Sequence, residues 1–186
     1  MNSKQFNTIK KRTVIFDQDG GLDDILGLIL MLSMDNVEVI GSCVTPGVCF
    51  LECGVESTLK IFSLFGKDDA EVAKSRFYGQ YQFPREWRPY SNIMNSFPLM
   101  IDQPFNQKAL VSESADEWMI KKLKESKDPI TIMLTGPCSN LAAALEKAPE
   151  IKEKIEEVVI MGGAVDTKGN VEYFGHDGSA EWNFFW

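Results

Sequence analysis

Four aspartates, Asp17, Asp19, Asp23 and Asp24, fall within eight residues that also hold two adjacent glycines, Gly20 and Gly21. Like charges this close raise one another's pKa and destabilise any loop that shields them from water. A hard divalent cation removes the conflict. Oxygen-only donors favour Ca²⁺ or Mg²⁺ over zinc, and glycine lets the backbone approach an ion or a ligand closely. A plainer role is helix capping, in which carboxylates satisfy free N–H groups and oppose the helix dipole. Capping accounts for one or two aspartates and not for four, so the cluster reads as a metal-binding loop.

The elements around the loop are those of an α/β protein. Thr13 to Phe16 is a β-branched and aromatic run that reads as a buried strand ending at Asp17. Asp23 and Asp24 suit the first turn of a helix, which Ile25 to Met34 continues as an almost wholly apolar and therefore deeply buried segment. A second strand over Val37 to Val44 and a second helix over Glu52 to Phe65, closed at Gly66, complete a β-α-β-α order. Val72 to Asn106 has no clear period and reads as a long loop region over the strand ends. Order returns with a helix from Ser112 to Lys127, a strand at Ile130 to Leu134, a turn at Thr135-Gly136-Pro137 and a helix from Ser139 or Asn140. Glu150 to Glu157 adds a turn or two, a strand at Val158 to Met161 ends in Gly162-Gly163, and Asp166 to Trp186 reads as irregular. This alternation predicts an open, mostly parallel sheet with helices on both faces, where ligands gather at the carboxyl ends of the strands.

Composition narrows the function classes. The chain has 186 residues, 44% hydrophobic and 25% charged, which suits one globular domain over residues 1–186. A formal net charge of −8 with dispersed lysines argues against a nucleic-acid partner. Cys43, Cys49, Cys53 and Cys138 match no metal-knuckle or disulfide spacing and read as buried, reduced thiols. Residues 1–13 lack the apolar run of a secretory signal, and no stretch approaches the ~20 apolar residues of a membrane span. Cytoplasm is the expected location.

Two enzyme families begin in this way. VIFDQDG alone resembles the first motif of haloacid-dehalogenase-type phosphatases, in which the first Asp is the nucleophile beside Mg²⁺, and ITIMLTG resembles their second motif. Gly21 stands where that family places Thr or Val, and its later Lys and acidic pair have no counterpart. The full string DQDGGLDD instead resembles the nucleoside hydrolase signature Asp-x-Asp-Pro-Gly-x-Asp-Asp, with Gly20 in place of the proline and every aspartate in register. LTGPCSNLAAAL, EEVVIMGGAV and AEWNFFW are similar to three further segments of that family, in its order and at comparable spacing.

The resemblance implies Ca²⁺-dependent hydrolysis of the N-glycosidic bond of a ribonucleoside, through an oxocarbenium-like ribose. By similarity, Asp19 and Asp24 would bind Ca²⁺ with the backbone carbonyl of Thr135, and Asp19 would act as the base toward the attacking water. Asp23 would hold a ribose hydroxyl, Glu181 and Asn183 would grip the sugar, and Asn170 and Met161 would contact its 5′ side. Asp17 would sit behind the cation's ligands and orient them. Related enzymes commonly self-associate, so a homo-oligomer is a further expectation.

The departures from the family are equally specific. Pro46-Gly47-Val48-Cys49 replaces a Gly-Asn that contributes to the sugar pocket, removing one polar contact. The interval from Asn170 to Asn183 is longer than usual and contains His176, the single histidine, which reads as a solvent-facing loop residue. The family continues well past its Glu-x-Asn segment, supplying another Asp ligand and often a His implicated in base departure. Neither occurs in these 186 residues. The expectations are therefore a truncated enzyme of doubtful activity, with WNFFW as an exposed apolar end, or a metal-binding or subunit-association module that has lost catalysis.

Overall fold

The computed structural model describes residues 11–186, so most of the amino-terminal stretch read for a signal lies outside the described residues. Six strands form one sheet in the order β4-β3-β2-β1-β5-β6, and every neighbouring pair is parallel. β1 (Arg12–Gln18) lies at the centre between β2 (Val37–Val44) and β5 (Ile130–Leu134). Its Val14, Ile15 and Phe16 are buried, as expected of a parallel strand covered on both faces.

From β1 the chain winds outward through β2, β3 (Glu71–Lys74) and β4 (Leu110–Ser114), then returns across β1 to β5 and β6 (Ile155–Ile160). The reversal leaves a crevice beyond the carboxyl ends of β1 and β5, which is where open α/β sheets bind ligands.

α1 (Leu22–Leu32) and α2 (Leu51–Leu64) help build one core layer, with Ile25, Leu28, Leu59 and Phe62 packed together. α5 (Ala115–Glu125) and α6 (Ser139–Lys147) build the other around Trp118, Leu123 and Ile132. α2 ends as Gly66 predicts: its φ is 66°, and Lys67 N–H reaches the carbonyl of Phe62.

Several expectations need correction. α1 is not deeply buried: Ile25 and Leu28 face the core, while Leu22, Leu26 and Leu30 are 40%, 56% and 63% exposed. An apolar run at helical period has two sides, and only one meets the sheet. The segment 72–106 is not one loop, because Glu71–Lys74 forms β3 and Tyr90–Asn95 and Pro98–Ile101 form two short helices, α3 and α4. The expected helix from Ser112 begins at Ala115, since residues 110–114 pair with β3 as an edge strand. Strands of four or five residues carry too few alternations to show a period.

All four cysteines are free, with Cys43 and Cys49 buried and Cys53 and Cys138 half-buried. WNFFW is only partly an exposed apolar end. It forms α7 (Trp182–Phe185), in which Trp182 is 1% exposed while Phe184 is 61% exposed. Trp182 packs with Phe83 and Val171, so the surrounding loops supply it with a small core of its own. No helix among the described residues is long and apolar enough to cross a membrane.

Candidate active site

The aspartate loop leaves β1 at the crevice. Asp17, Asp19 and Asp24 are 0%, 3% and 2% exposed, whereas Asp23 on the first turn of α1 faces solvent. Gly20 has φ 75°, a conformation closed to proline, and its N–H donates to Gln18 Oε1 at 2.7 Å. Gln18 is itself buried and anchored by donating from Nε2 to Thr58 Oγ1 at 2.8 Å. This chain therefore replaces the proline of the related signature with a different turn, held by a buried side chain.

Asp24 does cap α1. Its Oδ2 accepts from Gly21 N–H at 2.8 Å and from Asp19 N–H at 3.3 Å, while Oδ1 accepts from Thr135 Oγ1 at 2.5 Å. Capping and cation binding are thus compatible uses of one carboxylate. Asp19 Oδ2 accepts from Val48 N–H at 3.0 Å, in the segment where the family resemblance implied the loss of a polar contact. The main chain makes a polar contact there, and Gly47 passes so close to Asp19 Oδ2 that a Cβ would overlap it.

Burial raises the pKa of all three shielded aspartates. Asp17 rises to about 7, because desolvation outweighs the hydrogen bond from Asn140 Nδ2 and the charge of Asp24 adds to the rise. Asp19 is pushed well above the carboxylate range by burial and then by the neighbouring charge of Asp24. Asp24 is raised less, since burial is offset by hydrogen bonds from Asp19 and Thr135. Two buried carboxylates so coupled hold a proton between them unless a cation replaces it.

The other site residues converge on the same crevice. Asn183, at 7% exposure, donates from Nδ2 to the carbonyls of Thr135 at 2.8 Å and Met161 at 3.0 Å, tying α7 to the ends of β5 and β6. Glu181 Oε2 accepts from Gly163 N–H and Asn183 N–H, and Asn170 Oδ1 accepts from Trp182 N–H. An open cleft of about 200 Å³ is lined on its polar side by Asp19, Asp23, Thr135, Asn170, Glu181 and Asn183. Met161 also lines it and is 42% exposed, so it is not a core residue. The rest of the lining is largely aromatic: Phe83, Trp87, Tyr90 and Trp182.

Asp17 lies outside the cleft lining, bonded to Asn140, which also donates to Thr45 Oγ1. A fully buried carboxylate cannot attack a phosphate ester, so the phosphatase reading fails on geometry. His176 is half-buried, edge-on to Phe185 with Nδ1 beside Ser179 Oγ, and it does not line the cleft. Sequence reading missed Asn140, Val48 and the aromatic wall. Asn140 stood within the TGPCSN segment, but the wall residues carry no spacing signal.

The carboxylates of Asp19 and Asp24 are buried and repel each other, and with the carbonyl of half-buried Thr135 they offer oxygen-only donors, the chemistry a hard cation satisfies. The set fills only part of the six to eight ligands Ca²⁺ takes. In keeping with that shortfall, no group of three or more His, Cys, Asp or Glu among the described residues is arranged to hold a metal.

The cleft thus lies beyond the carboxyl ends of a parallel sheet at its switch point and is lined by acid, amide and aromatic side chains. Residues 14–186 match the family described as inosine-uridine preferring nucleoside hydrolase, and the chain belongs to that family. It is 32% identical over 157 residues to a pyrimidine-specific ribonucleoside hydrolase RihA of Shewanella woodyi, covering 82% of this chain and 48% of the relative. It superposes on the crystal structure of an inosine-uridine preferring nucleoside hydrolase from Bacillus anthracis with a TM-score of 0.86 and 39% identity, covering 94% of this chain and 58% of that one. A purine-preferring ribonucleoside hydrolase from Gardnerella vaginalis gives a TM-score of 0.67 at 33% identity, over 86% of this chain and 51% of its own. The chain spans about half the length of these relatives.

Proposed function

We propose that this chain carries the cation- and ribose-binding part of a site that hydrolyses the N-glycosidic bond of ribonucleosides, with Ca²⁺ as the cation. The observation that carries the reading is convergence. Asp19 and Asp23, Thr135, Met161, and Glu181 with Asn183 come from four separate segments and meet in one cleft that aromatic side chains also line. The aromatic rings suit a planar base, and the acid and amide groups suit a polyhydroxylated sugar.

Asp19, Asp24 and the Thr135 carbonyl would hold the ion, which supplies positive charge beside the attacking water. Asp19, whose Oδ2 is held by Val48 N–H, takes the water's proton. Asp23, Glu181 and Asn183 orient the ribose hydroxyls, and Asn170 and Met161 border its 5′ side. Asp17 and Asn140 hold the loop from behind. Inosine and uridine are the substrates to test, because relatives named for purine, pyrimidine and mixed preference share this half of the fold.

The test is calcium titration by calorimetry on the chain and on Asp24→Ala, followed by ribose release from inosine and uridine. Binding that disappears in the variant, with ribose released, supports the whole reading. Binding without release supports the cation site and assigns the missing chemistry to groups outside these residues. No calcium binding by the unsubstituted chain refutes the cation site.

A further inference from the structure

We infer that Arg88 is a positioning residue: its guanidinium clamps the loop over residues 46–49 so that Val48 N–H stays on Asp19 Oδ2. Arg88 is half-buried. Its Nη1 donates to the Gly47 carbonyl at 3.3 Å and to Gln82 Oε1 at 2.8 Å, and its Nη2 donates to the Cys49 carbonyl at 3.3 Å. The two loop carbonyls flank Val48, whose N–H bonds Asp19 Oδ2 at 3.0 Å. Among the described residues no other side chain donates to a carbonyl of residues 46–49.

The guanidinium also lies 5.2 Å from the centroid of the Phe50 ring, which fixes its plane. A rigid fork of donors suits this task and an ammonium does not, because two carbonyls and an amide oxygen must be met at once. The same side chain belongs to the segment that places Phe83, Trp87 and Tyr90 on the cleft. Arg88 therefore links the segment carrying these aromatic residues to the loop that bonds the Asp19 carboxylate. That this coupling serves a cation site rests on the proposed function, whereas the clamp itself does not.

The test uses the ¹⁵N-labelled 186-residue chain and the variants Arg88→Met and Arg88→Lys. An amide donating to a carboxylate is strongly deshielded, so the Val48 amide proton reports the bond directly. In Arg88→Met the Val48 and Cys49 amides are expected to move upfield and exchange with solvent about tenfold faster, while the Val39 and Ile132 core amides stay unchanged. Arg88→Lys is expected to recover less than half of the shift, since one ammonium cannot reach both carbonyls. Calcium affinity of Arg88→Met is expected to fall about tenfold. An unmoved Val48 amide overturns the proposal, whereas a displaced amide with calcium affinity within about twofold of the unsubstituted chain supports the clamp and overturns its service to a cation site. If core amides also shift, Gln82→Met removes the 2.8 Å anchor alone and must reproduce the Val48 change for the clamp to stand. Absence of calcium binding by the unsubstituted chain counts against the proposed function and leaves the amide signals to decide the clamp.

Discussion

Asp17→Asn removes one buried titration while keeping an acceptor for Asn140 Nδ2. In the cation-free chain Asp17 has a pKa of about 7 against an ordinary 3.8. The folded state thus retains a proton that the unfolded state releases. Its stabilising effect is present at low pH and is lost as pH rises through the folded pKa, in a window from about 4 to about 7. Across that window the shift corresponds to about 4 kcal/mol, of which roughly 2 kcal/mol falls between pH 5 and pH 7. For a chain of this size each kcal/mol moves Tm by about 2–4 °C. The unsubstituted chain should therefore lose about 4–8 °C more than Asp17→Asn between pH 5 and pH 7. Asp19 and Asp24 titrate in both chains and cancel to first order in the difference. Thermal unfolding by circular dichroism in EGTA at the two pH values measures it, and parallel slopes would refute the account of Asp17.

Gly20→Pro, which restores the residue usual in the signature, should lower Tm by roughly 6–12 °C, because φ 75° is closed to proline and Gln18 Oε1 loses its donor. An unchanged Tm would mean that the loop takes another conformation. Gly47→Ala should weaken calcium binding by at least about tenfold, since its Cβ displaces the Asp19 carboxylate; calorimetry showing full affinity would rule out that close approach. Thr135→Val removes the hydroxyl that holds Asp24 down in pKa while keeping the carbonyl. Protons then compete better with the cation, so calcium affinity should fall several-fold more at pH 6 than at pH 8, and an equal loss at both would contradict this role.

The central strand, the aspartate loop and β5 were legible because their signals are local. A continuous apolar run followed by charge and glycine describes a parallel strand opening into a turn, whatever surrounds it. The cleft's polar residues were legible for a different reason, since Asp19, Asp23, Thr135, Glu181 and Asn183 sit in short segments whose order and spacing resemble a known family. β3 and β4 were not legible. With four and five residues they gain their identity from pairing to β2 and to each other, which no window of sequence contains.

The sequence by itself determined the alternation of strands and helices, the oxygen-only donors and their family resemblance, because each depends on residue type and near spacing. Only the tertiary structure decided which aspartates are shielded, because burial is a property of everything packed around a group: Asp17 and Asp24 lie inside, and Asp23 faces solvent one residue from Asp24. It also decided that a main-chain N–H at Val48 serves Asp19 where a polar side chain is absent, and that Arg88, forty-one residues from Gly47, holds that N–H in place. Hydrogen bonds between segments so distant depend on the sheet bringing the ends of β1 and β2 side by side, and nothing in the order of residues along the chain encodes that meeting separately from the fold.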